Sequence, residues 1–435
     1  MLTRLDLRGL DAAAVAAALP PLALDDEGPR QAVREVLDAV RDRGDAAVRE
    51  LTRRFDGLDV AETRVPDTAI AAALDGVDAE VRAALEAAAA GIEDFHRHQL
   101  RPPSTYRRDG IVIEGRAQPV DRAGCYVPGG RALYPSTVLM TAIPAAVAGV
   151  PEVALCVPPG PDGEVPALTL AAAAVAGVTE VHRIGGAQAI AAMAYGTETV
   201  AAVDVVVGPG NVYVAEAKRQ VAGEGRVGVP SAFAGPSEVI VIADDSAPPA
   251  LAAVDVILQA EHGPGGRAWF VTWDEAVADA VLAAIEEQVA VSPRRDDITS
   301  TFASGGHLAL VDGPEAAAQV ANLVAPEHLE VICAAGASEA VVGRIRHAGA
   351  VFVGPWSPAS VGDYVAGPSH VLPTAGTARF GSALTVADFT KDIHVVTLDR
   401  AALEQVAPHV AALADAEGLP AHADSVRRRL ADGAS

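Results

Sequence analysis

At 435 residues, half of them hydrophobic, the chain is long enough for at least two domains with sizeable cores. Its formal net charge of −24 argues against nucleic acid as the main partner, because phosphate binding needs clustered Lys and Arg. The longest uncharged stretch of the first half, Ala132 to Pro151, is broken by prolines and hydroxyl residues, which makes it a poor membrane span. Because no basic-apolar-small leader begins the chain, we expect a soluble, cytoplasmic protein without a membrane partner.

The first quarter of the chain is helical by pattern. Residues 1–24 are rich in Leu and Ala and are expected to form an arm outside the main domains. Apolar spacing predicts helices from Pro29, after Gly44-Asp45, and from Asp78 to His98.

After residue 120, strands and helices alternate in two series, which is typical of parallel βα units. The predicted strands of the first series are Gly124–Val127, Val153–Val157, Val181–Ile184 and Val203–Val207. Those of the second series are Val239–Ala243, Ala268–Thr272, Leu308–Val311, Val331–Ala334 and Val351–Val353. We therefore predict the α/β class, with two incomplete Rossmann-like parallel-sheet domains in tandem, a small N-terminal arm and a small helical C-terminal domain. The expected divisions are residues 1–24, residues 25–120 together with 238–380, residues 121–237, and residues 381–435.

The cysteines predict structural thiols rather than a metal site. Cys125, Cys156 and Cys333 each lie in an apolar, strand-like run, and none is spaced as a metal-binding pair. A buried cysteine behaves as a small hydrophobic residue. Any metal site is therefore expected to use His, carboxylate and amide groups.

Two glycine-containing turns, Gly185–Gln188 and Gly208–Asn211, follow predicted strands and precede predicted helices, and Tyr126–Gly130 is a third candidate turn. Such turns can bind a pyrophosphate through backbone N–H groups at a helix N-terminus. The dinucleotide fingerprint is not met, since Tyr213 stands where a third small residue belongs. Nucleotide binding and simple turn formation both remain open, as do stacking and packing roles for the Tyr126 ring.

The segment Leu258–Gly263 ends a largely apolar run that predicts a helix stopped by Gly263-Pro264. On such a helix Gln259 and His262 lie three residues apart and face the same side. An amide oxygen and an imidazole could together bind a metal that prefers nitrogen and oxygen ligands. On this pair alone, a helix-terminal histidine that interacts with exposed carbonyl groups is the favoured interpretation.

Other segments bring further carboxylates and imidazoles. Glu327 and His328 stand side by side just before the predicted strand at Val331, and such a pair supports proton transfer near neutral pH. A surface pair that caps a helix is the alternative. The remaining segments are Gly235–Glu238 with Ser237, Gly362–Tyr364 with Asp363, Gly367–His370 with His370, and Ala416–His422 with Glu417 and His422.

Taken together, these segments resemble the histidinol dehydrogenases, the enzymes of the last two steps of histidine synthesis. The matching motifs run along the whole chain in the family's order and spacing: RGDAAVRELTRRFDG (43–57), YVPGGRALYPSTVLM (126–140), GGAQAIAAMAYGT (185–197), GPGNVYVAEAKR (208–219), GPSEVIVIAD (235–244), QAEHGP (259–264), APEHLE (325–330), GDYVAGPSHVLPT (362–374) and AEGLPAH (416–422). One departure is Ser-Ala-Phe-Ala at 231–234, where the family usually has Asp-Met-Pro-Ala.

The resemblance implies an NAD-dependent enzyme with one Zn²⁺ per subunit. The implied zinc ligands are Gln259, His262, Asp363 and His422. Glu327 is implied to activate water and His328 to accept the alcohol proton. The implied substrate contacts are Ser237, Gln259, His262, Glu327, Asp363, His370, Glu417 and His422, and the implied NAD contacts are Tyr126, Gln188 and Asn211.

The resemblance also assigns roles to the domains and implies a homodimer. Residues 25–120 with 238–380 would carry the metal and catalytic residues, and residues 121–237 would bind NAD. Residues 381–435 would be exchanged between subunits, so that Glu417 and His422 complete the partner's site. Two rivals remain: a same-fold zinc/NAD dehydrogenase for another small alcohol, and a zinc-dependent hydrolase in which Glu327 activates a metal-bound water.

Overall fold

Alternating strands and helices make up most of the chain in the computed structural model, which describes residues 2–21, 28–129, 132–230, 235, 237–263 and 265–431. The chain divides into two units: a larger one, Met1–Gln99 with Val120–Phe389, and a smaller one, Leu100–Pro119 with Thr390–Ser435. The strands of the described residues are β1 (Thr3–Asp6), β2 (Ser104–Arg108), β3 (Ile111–Pro119), β4 (Arg122–Tyr126), β5 (Glu152–Val157), β6 (Glu180–Arg183), β7 (Val205–Val207), β8 (Glu238–Ala243), β9 (Arg267–Thr272), β10 (Gly306–Leu310), β11 (His328–Ile332), β12 (Ala350–Val353) and β13 (Thr390–Leu398).

Helices connect these strands, as the βα pattern predicts. The α-helices of the described residues are α1 (Ala12–Ala18), α2 (Gly28–Arg43), α3 (Asp45–Asp56), α4 (Asp67–Gly76), α5 (Ala79–Arg97), α6 (Pro135–Ala148), α7 (Ala167–Val175), α8 (Gly186–Tyr195), α9 (Val212–Gly223), α10 (Pro249–Ala260), α11 (Glu275–Val291), α12 (Arg295–Gly305), α13 (Pro314–Val324), α14 (Ala335–Val342), α15 (Ala359–Tyr364), α16 (Arg400–Ala416) and α17 (Pro420–Ala431). Among the described helices, none is long and apolar enough to cross a membrane.

A six-stranded sheet in the larger unit has the order β1-β10-β9-β8-β11-β12, and all its neighbours are parallel. Its central strand β8 (EVIVIA) is buried throughout, as expected for a parallel sheet with helices on both faces. One core, around Phe270 and Ile298, lies on one face, and another, around Trp269 and Leu329, lies on the other.

A four-stranded parallel sheet, β6-β5-β4-β7, forms the other half of the larger unit. When each half is numbered from its first strand, both follow the order 3-2-1-4, as β6-β5-β4-β7 and β10-β9-β8-β11. The predicted α/β class with two similar parallel-sheet halves is confirmed.

The carboxyl ends of β8 and β11 are joined by a buried carboxylate. Asp244 follows β8, and its Oδ2 accepts the backbone N–H of Ala334 at 3.0 Å, at the turn between β11 and α14. Its Oδ1 accepts the N–H of Ser246 at 3.0 Å. The Asp244 carboxylate therefore occupies the backbone N–H groups of Ala334 and Ser246 at the carboxyl ends of these strands.

The N-terminal segment is not the outlying arm that the sequence predicts. Thr3–Asp6 forms β1, which pairs in parallel with β10 and is an edge strand of the larger sheet. Three of its four residues are exposed, so it lacks the apolar alternation by which a strand is recognised in a sequence.

The helices before residue 100 also pack differently from the predicted grouping of 25–120 with 238–380. Helices α2 and α3 pack with α8 and α9 in a core around Leu37, Val48 and Ile190. Helices α4 and α5 pack on α6 and α7. All four therefore belong with the four-stranded sheet. An amphipathic pattern shows that a helix buries one face, but not which partner covers it.

The C-terminal part of the smaller unit begins at Thr390 rather than at 381. The sequence predicts a purely helical unit, but the structure also contains strands there. It contains an antiparallel sheet, β13-β3-β2, in which Thr390–Leu398 pairs with Ile111–Pro119. Pairing between segments so far apart in sequence has no local signature. Helices α16 and α17 share a small core of Ala407, Ala411, Ala414, Ala423 and Val426.

The cysteines are free thiols, with Cys125 and Cys156 buried and Cys333 partly buried. Burial raises the pKa of Cys125 and of Cys333 to about 12. These thiols are protonated at neutral pH, as expected for structural residues.

Candidate active site

The backbone of Glu238, the first residue of β8, orients the Glu327-His328 pair. Its N–H donates to Glu327 Oε2 at 2.8 Å, and its carbonyl oxygen lies 3.1 Å from His328 Nδ1. Both side chains are buried. With Nδ1–H donating to this carbonyl, the Nε2 atom of His328 is left to face the rest of the site.

Asp363, on the short helix α15, lies between His328 and Gln259. Its Oδ1 is 3.2 Å from His328 Nε2, and its Oδ2 accepts Gln259 Nε2–H at 3.2 Å. The Oε1 atom of Gln259 is buried and has no hydrogen-bond partner among the described residues. A buried amide oxygen without a partner is costly, and a cation would satisfy it.

His262, which follows the last turn of α10, completes this group with Ser237. The Nδ1 atom of His262 lies 2.9 Å from Ser237 Oγ, and its ring lies edge-on to Tyr134 at 6.5 Å between centroids. His262 is exposed, whereas Gln259 one turn earlier is buried. Along the predicted common face of the helix, the Gln259 side chain thus lies in the interior and the His262 side chain lies at the surface.

His370 has partners at both ring nitrogens. Its Nδ1 lies 2.9 Å from the carbonyl oxygen of Asp363, and its Nε2 lies 3.0 Å from Thr137 Oγ1 on α6. Burial lowers the pKa of His370. The ring is therefore held in a fixed orientation by one group from α15 and one from α6.

The buried charges of the site influence one another. Burial opposes the charged form of His328, but the Glu327 and Asp363 carboxylates raise its pKa well above the usual value. Burial likewise opposes ionisation of Asp363, whose pKa is nevertheless lowered by the hydrogen bond with His328. Burial raises the pKa of Glu238 to about 7, against the opposing effect of Arg267.

Phe352, on β12, explains the glycine that precedes Asp363. Its ring stacks on His328 at 6.0 Å between centroids. A Cβ atom at Gly362 would lie 2.5 Å from the Phe352 ring, so only glycine lets α15 approach this closely.

These residues gather at the amino ends of β8 and β11, where Glu238 and His328 are the first residues. The sequence predicts a strand only from Val331, and β11 begins three residues earlier. Ligands of open α/β sheets usually bind at the carboxyl ends of the strands. In this half of the molecule the candidate site lies at the opposite edge.

The predicted nucleotide turns lie at the carboxyl ends of β4, β6 and β7. Tyr126 is buried in the core, and its hydroxyl oxygen accepts the Gly186 N–H at 3.1 Å. Gln188 is buried in α8, and Asn211 caps α9 by accepting the N–H groups of Tyr213 and Val214. The Tyr126 ring therefore packs in the core, and its hydroxyl group fixes the start of α8.

A buried lysine supports the turn before α9. The Lys218 ammonium group donates to the Gly208 carbonyl oxygen at 2.8 Å, and burial lowers its pKa to about 7. A Cβ atom at Gly208 would lie 2.0 Å from the Tyr126 carbonyl oxygen, so this turn requires glycine. The sequence marks the glycine but gives no sign of the lysine's role.

Glu417 and His422 belong to the smaller unit. Glu417 caps the end of α16, and His422 lies in the first turn of α17. Both side chains are exposed. The Ser-Ala-Phe-Ala departure at 231–234 lies outside the described residues.

Sequence reasoning missed Glu238, Thr137 and Phe352. Glu238 acts mainly through its backbone, which no residue pattern reveals. Thr137 and Phe352 contact site histidines only because distant segments pack together. Conversely, His, Cys, Asp and Glu side chains alone form no metal-binding group of three or more in the part of the chain that the structure describes.

A profile of the histidinol dehydrogenase family matches residues 23–430 of this chain. This chain belongs to the histidinol dehydrogenase family. The histidinol dehydrogenase of Parasynechococcus marenigrum is 49% identical to it over 398 residues, which cover 91% of this chain and 90% of that protein. The histidinol dehydrogenase of Geobacillus kaustophilus is 46% identical over 408 residues, covering 94% and 95%.

A solved histidinol dehydrogenase structure has the same fold as this chain. The histidinol dehydrogenase of Elizabethkingia anophelis has a TM-score of 0.92 with this chain at 33% identity, covering 99% of this chain and 98% of the other. The resemblance read from the motifs is thus confirmed, and the chain is an oxidoreductase of the histidinol dehydrogenase family.

Proposed function

We propose that this chain oxidises L-histidinol to L-histidine through L-histidinaldehyde, with NAD⁺ as the oxidant in both steps. The observation that carries the proposal is the pairing of Glu327 and His328 on the backbone of Glu238. His328 of this pair contacts Asp363, which in turn contacts Gln259, and both of these residues have oxygen atoms that suit a metal. An alcohol oxidation followed by an aldehyde oxidation needs this combination.

The metal that suits these donors is one Zn²⁺ per subunit, held by Gln259, His262, Asp363 and His422. The Oε1 atom of Gln259 supports this assignment, because it is buried and accepts no hydrogen bond from the described residues. An oxygen atom that binds a metal is expected to lack a protein hydrogen-bond donor in this way. When bound, zinc would act as a template that fixes the amine and imidazole groups of histidinol. Glu327, with Oε2 on the Glu238 N–H, stays available for proton transfer.

Each of the paired residues has one proton to move. In its neutral form, His328 takes the hydroxyl proton of histidinol while hydride leaves the carbon that carries this hydroxyl group, which gives the aldehyde. Glu327 takes a proton from the water that attacks the aldehyde carbon, which leaves the hydrate as its anion. This anion loses the second hydride to give the carboxylic acid, which releases its remaining proton to solvent as the carboxylate. The bound dinucleotide would supply the hydride acceptor for each step, so two NADH would form per substrate molecule.

Substrate recognition is proposed to use Ser237 and His370 together with the partner subunit's Glu417. Ser237 lies beside His262, and His370 is fixed by Asp363 and Thr137. The full set of proposed substrate contacts is Ser237, Gln259, His262, Glu327, Asp363, His370, Glu417 and His422.

NAD is proposed to bind at the carboxyl ends of the four-stranded sheet, with Tyr126, Gln188 and Asn211 as contacts. These residues lie at three turns beside β4, β6 and β7, which include both strands where the strand order reverses. That position is where open parallel sheets bind ligands. Tyr126 would contribute through the Gly186 N–H that its hydroxyl group holds.

The proposed assembly is a homodimer in which the smaller units are exchanged. The core of α16 and α17 contains only four alanines and one valine as buried residues, which is little for an independent unit. The same unit exposes Val396, Leu413 and Leu419. A twofold dimer would cover such apolar surface and give each site the partner subunit's Glu417 and His422.

The proposal is tested by following NADH as the purified protein consumes L-histidinol. We expect two NADH per histidinol with little free aldehyde, loss of activity when zinc is removed by a chelator, and recovery when Zn²⁺ is added. His262→Asn is expected to lower the zinc content sharply, whereas His98→Asn, which changes an exposed histidine at the C-cap of α5, serves as the matched control.

Other outcomes would contradict the proposal. One NADH per substrate with aldehyde accumulating would contradict the second step. Full activity in a demonstrably metal-free preparation would remove zinc from the proposal.

A further inference from the structure

Two buried carboxyl groups lie outside the set of residues discussed so far. Asp255 is on α10 and Glu330 is on β11, and their side chains are hydrogen-bonded to each other. They are only 6% and 1% exposed. Buried acidic side chains without a cation partner are rare, so their presence here calls for an explanation.

Asp255 is linked to Gln259 through α10, and Glu330 is linked to Asp363 through α15. Asp255 lies four residues before Gln259 on α10, which places it one helical turn away on the same face. Glu330 Oε1 accepts the backbone N–H of Ala359 at 3.1 Å, and Ala359 begins α15. Asp363 lies four residues after Ala359, again one turn away.

Glu330 is also fixed relative to His328. The two residues are separated by one position on β11, so their side chains point to the same face of the sheet. The pair Asp255–Glu330 therefore forms a layer directly next to the layer that contains Gln259, Asp363 and His328.

The hydrogen bond between two carboxyl groups requires a proton on one of them. Burial, together with the neighbouring Asp255 carboxylate, raises the pKa of Glu330 to about 9. The pair thus carries one proton near neutral pH, and one shared hydrogen bond joins α10 to β11. The remaining contact, from Glu330 to the Ala359 N–H, joins β11 to α15.

We propose that Asp255 and Glu330 are positioning residues that set the separation between Gln259 and Asp363, and thereby the affinity of the site for its cation. The inference rests on the proposed function, in which Gln259 and Asp363 bind zinc. Neither residue is one of the proposed zinc ligands, and the pair acts by holding α10 and α15 at one distance. Supporting residues of this kind typically change metal affinity by about 10–100-fold when they are replaced.

The test measures the zinc affinity of the full-length protein by competition with a chromophoric chelator, together with the Tm of the metal-free protein. Glu330→Met removes both contacts at similar volume and is expected to weaken zinc binding by about 10–100-fold. Glu330→Gln can still donate to Asp255 and accept from Ala359, so we expect an affinity within about threefold of wild type.

The matched control is Asp244→Ala, because Asp244 also ties β8 to the β11–α14 turn, but at the opposite edge of the sheet. It is expected to lower Tm and to leave zinc affinity unchanged. Asp255→Ala provides a second variant in case Glu330→Met does not fold. It cuts the link to α10 and keeps the link to α15, and it is also expected to weaken zinc binding.

The outcomes separate the two proposals. If wild type binds zinc and Asp255→Ala and Glu330→Met bind it equally well, the pair has a merely structural role and this inference is overturned. If Asp244→Ala weakens zinc binding as much as they do, the effect is general destabilisation, which also overturns it. If wild type binds no zinc at all, the proposed function fails and this inference fails with it.

Discussion

Glu327→Gln is expected to slow the oxidation of histidinaldehyde by about 10²–10⁴-fold, and to slow the oxidation of histidinol much less. The glutamine Oε1 atom can still accept the Glu238 N–H that now binds Glu327 Oε2, so the side chain keeps its position. A neutral amide, however, cannot take a proton from the attacking water. The loss should therefore fall on the step that consumes water.

His328→Asn gives the complementary result. An asparagine amide can still donate to the Glu238 carbonyl oxygen, but it offers no basic nitrogen toward the position of Nε2. We expect histidinol oxidation to fall at least as much as histidinaldehyde oxidation.

The two steps are measured separately, by NADH formation from histidinol and from histidinaldehyde. Glu339→Gln is the matched control for Glu327→Gln, because it makes the same chemical change at an exposed carboxyl group on α14. If both Glu327→Gln and His328→Asn lose both steps to the same extent, the division of roles is wrong.

A mixture of two inactive variants, Asp363→Ala and His422→Ala, is expected to regain activity when the chains are unfolded and refolded together. In the proposed dimer, each site takes Asp363 from one chain and His422 from the other. One site of a mixed dimer then carries both lesions, and its second site carries neither. With random pairing, about a quarter of wild-type activity should return.

The control is refolding of each variant alone, which should stay inactive. A mixture of Asp363→Ala with Gln259→Ala is a second control, because both residues belong to the larger unit and the proposal places them in the same site of each chain. In that mixture every site keeps a lesion. If the Asp363→Ala and His422→Ala mixture also stays inactive after demonstrated refolding into dimers, the shared site is wrong.

Local sequence patterns predicted the elements within the parallel halves well. The run EVIVIA of β8 is almost wholly apolar, and such a run has few alternatives to a central parallel strand. The motif residues of the larger unit also come together as expected, since Ser237 lies beside His262 and Gln259 beside Asp363.

The features that the sequence did not reveal depend on contacts between distant segments. The pairing of the edge strand β1 with β10 and the antiparallel pairing of β13 with β3 both join residues hundreds of positions apart, without a local signature. Glu238 acts through its backbone N–H, which donates to Glu327. Glu330 acts by accepting the backbone N–H of Ala359 at the start of α15. A strand that begins at His328 rather than Val331 also places His328, one residue of the proposed catalytic pair, in the sheet.

The carboxylate of Asp244 makes the carboxyl ends of β8 and β11 a poor place for an anionic ligand. Both halves share one strand order, so the crevice beyond the carboxyl ends of β8 and β11 corresponds to the crevice beyond β4 and β7. In the larger sheet, the backbone amide of Ala334 that borders this crevice already holds an anion, the side chain of Asp244. An incoming phosphate would have to displace a buried carboxylate and overcome its repulsion. The Asp244 carboxylate thus disfavours nucleotide binding at this edge of the larger sheet, which agrees with the proposal of the substrate site at the amino ends of its strands and the NAD site in the other half.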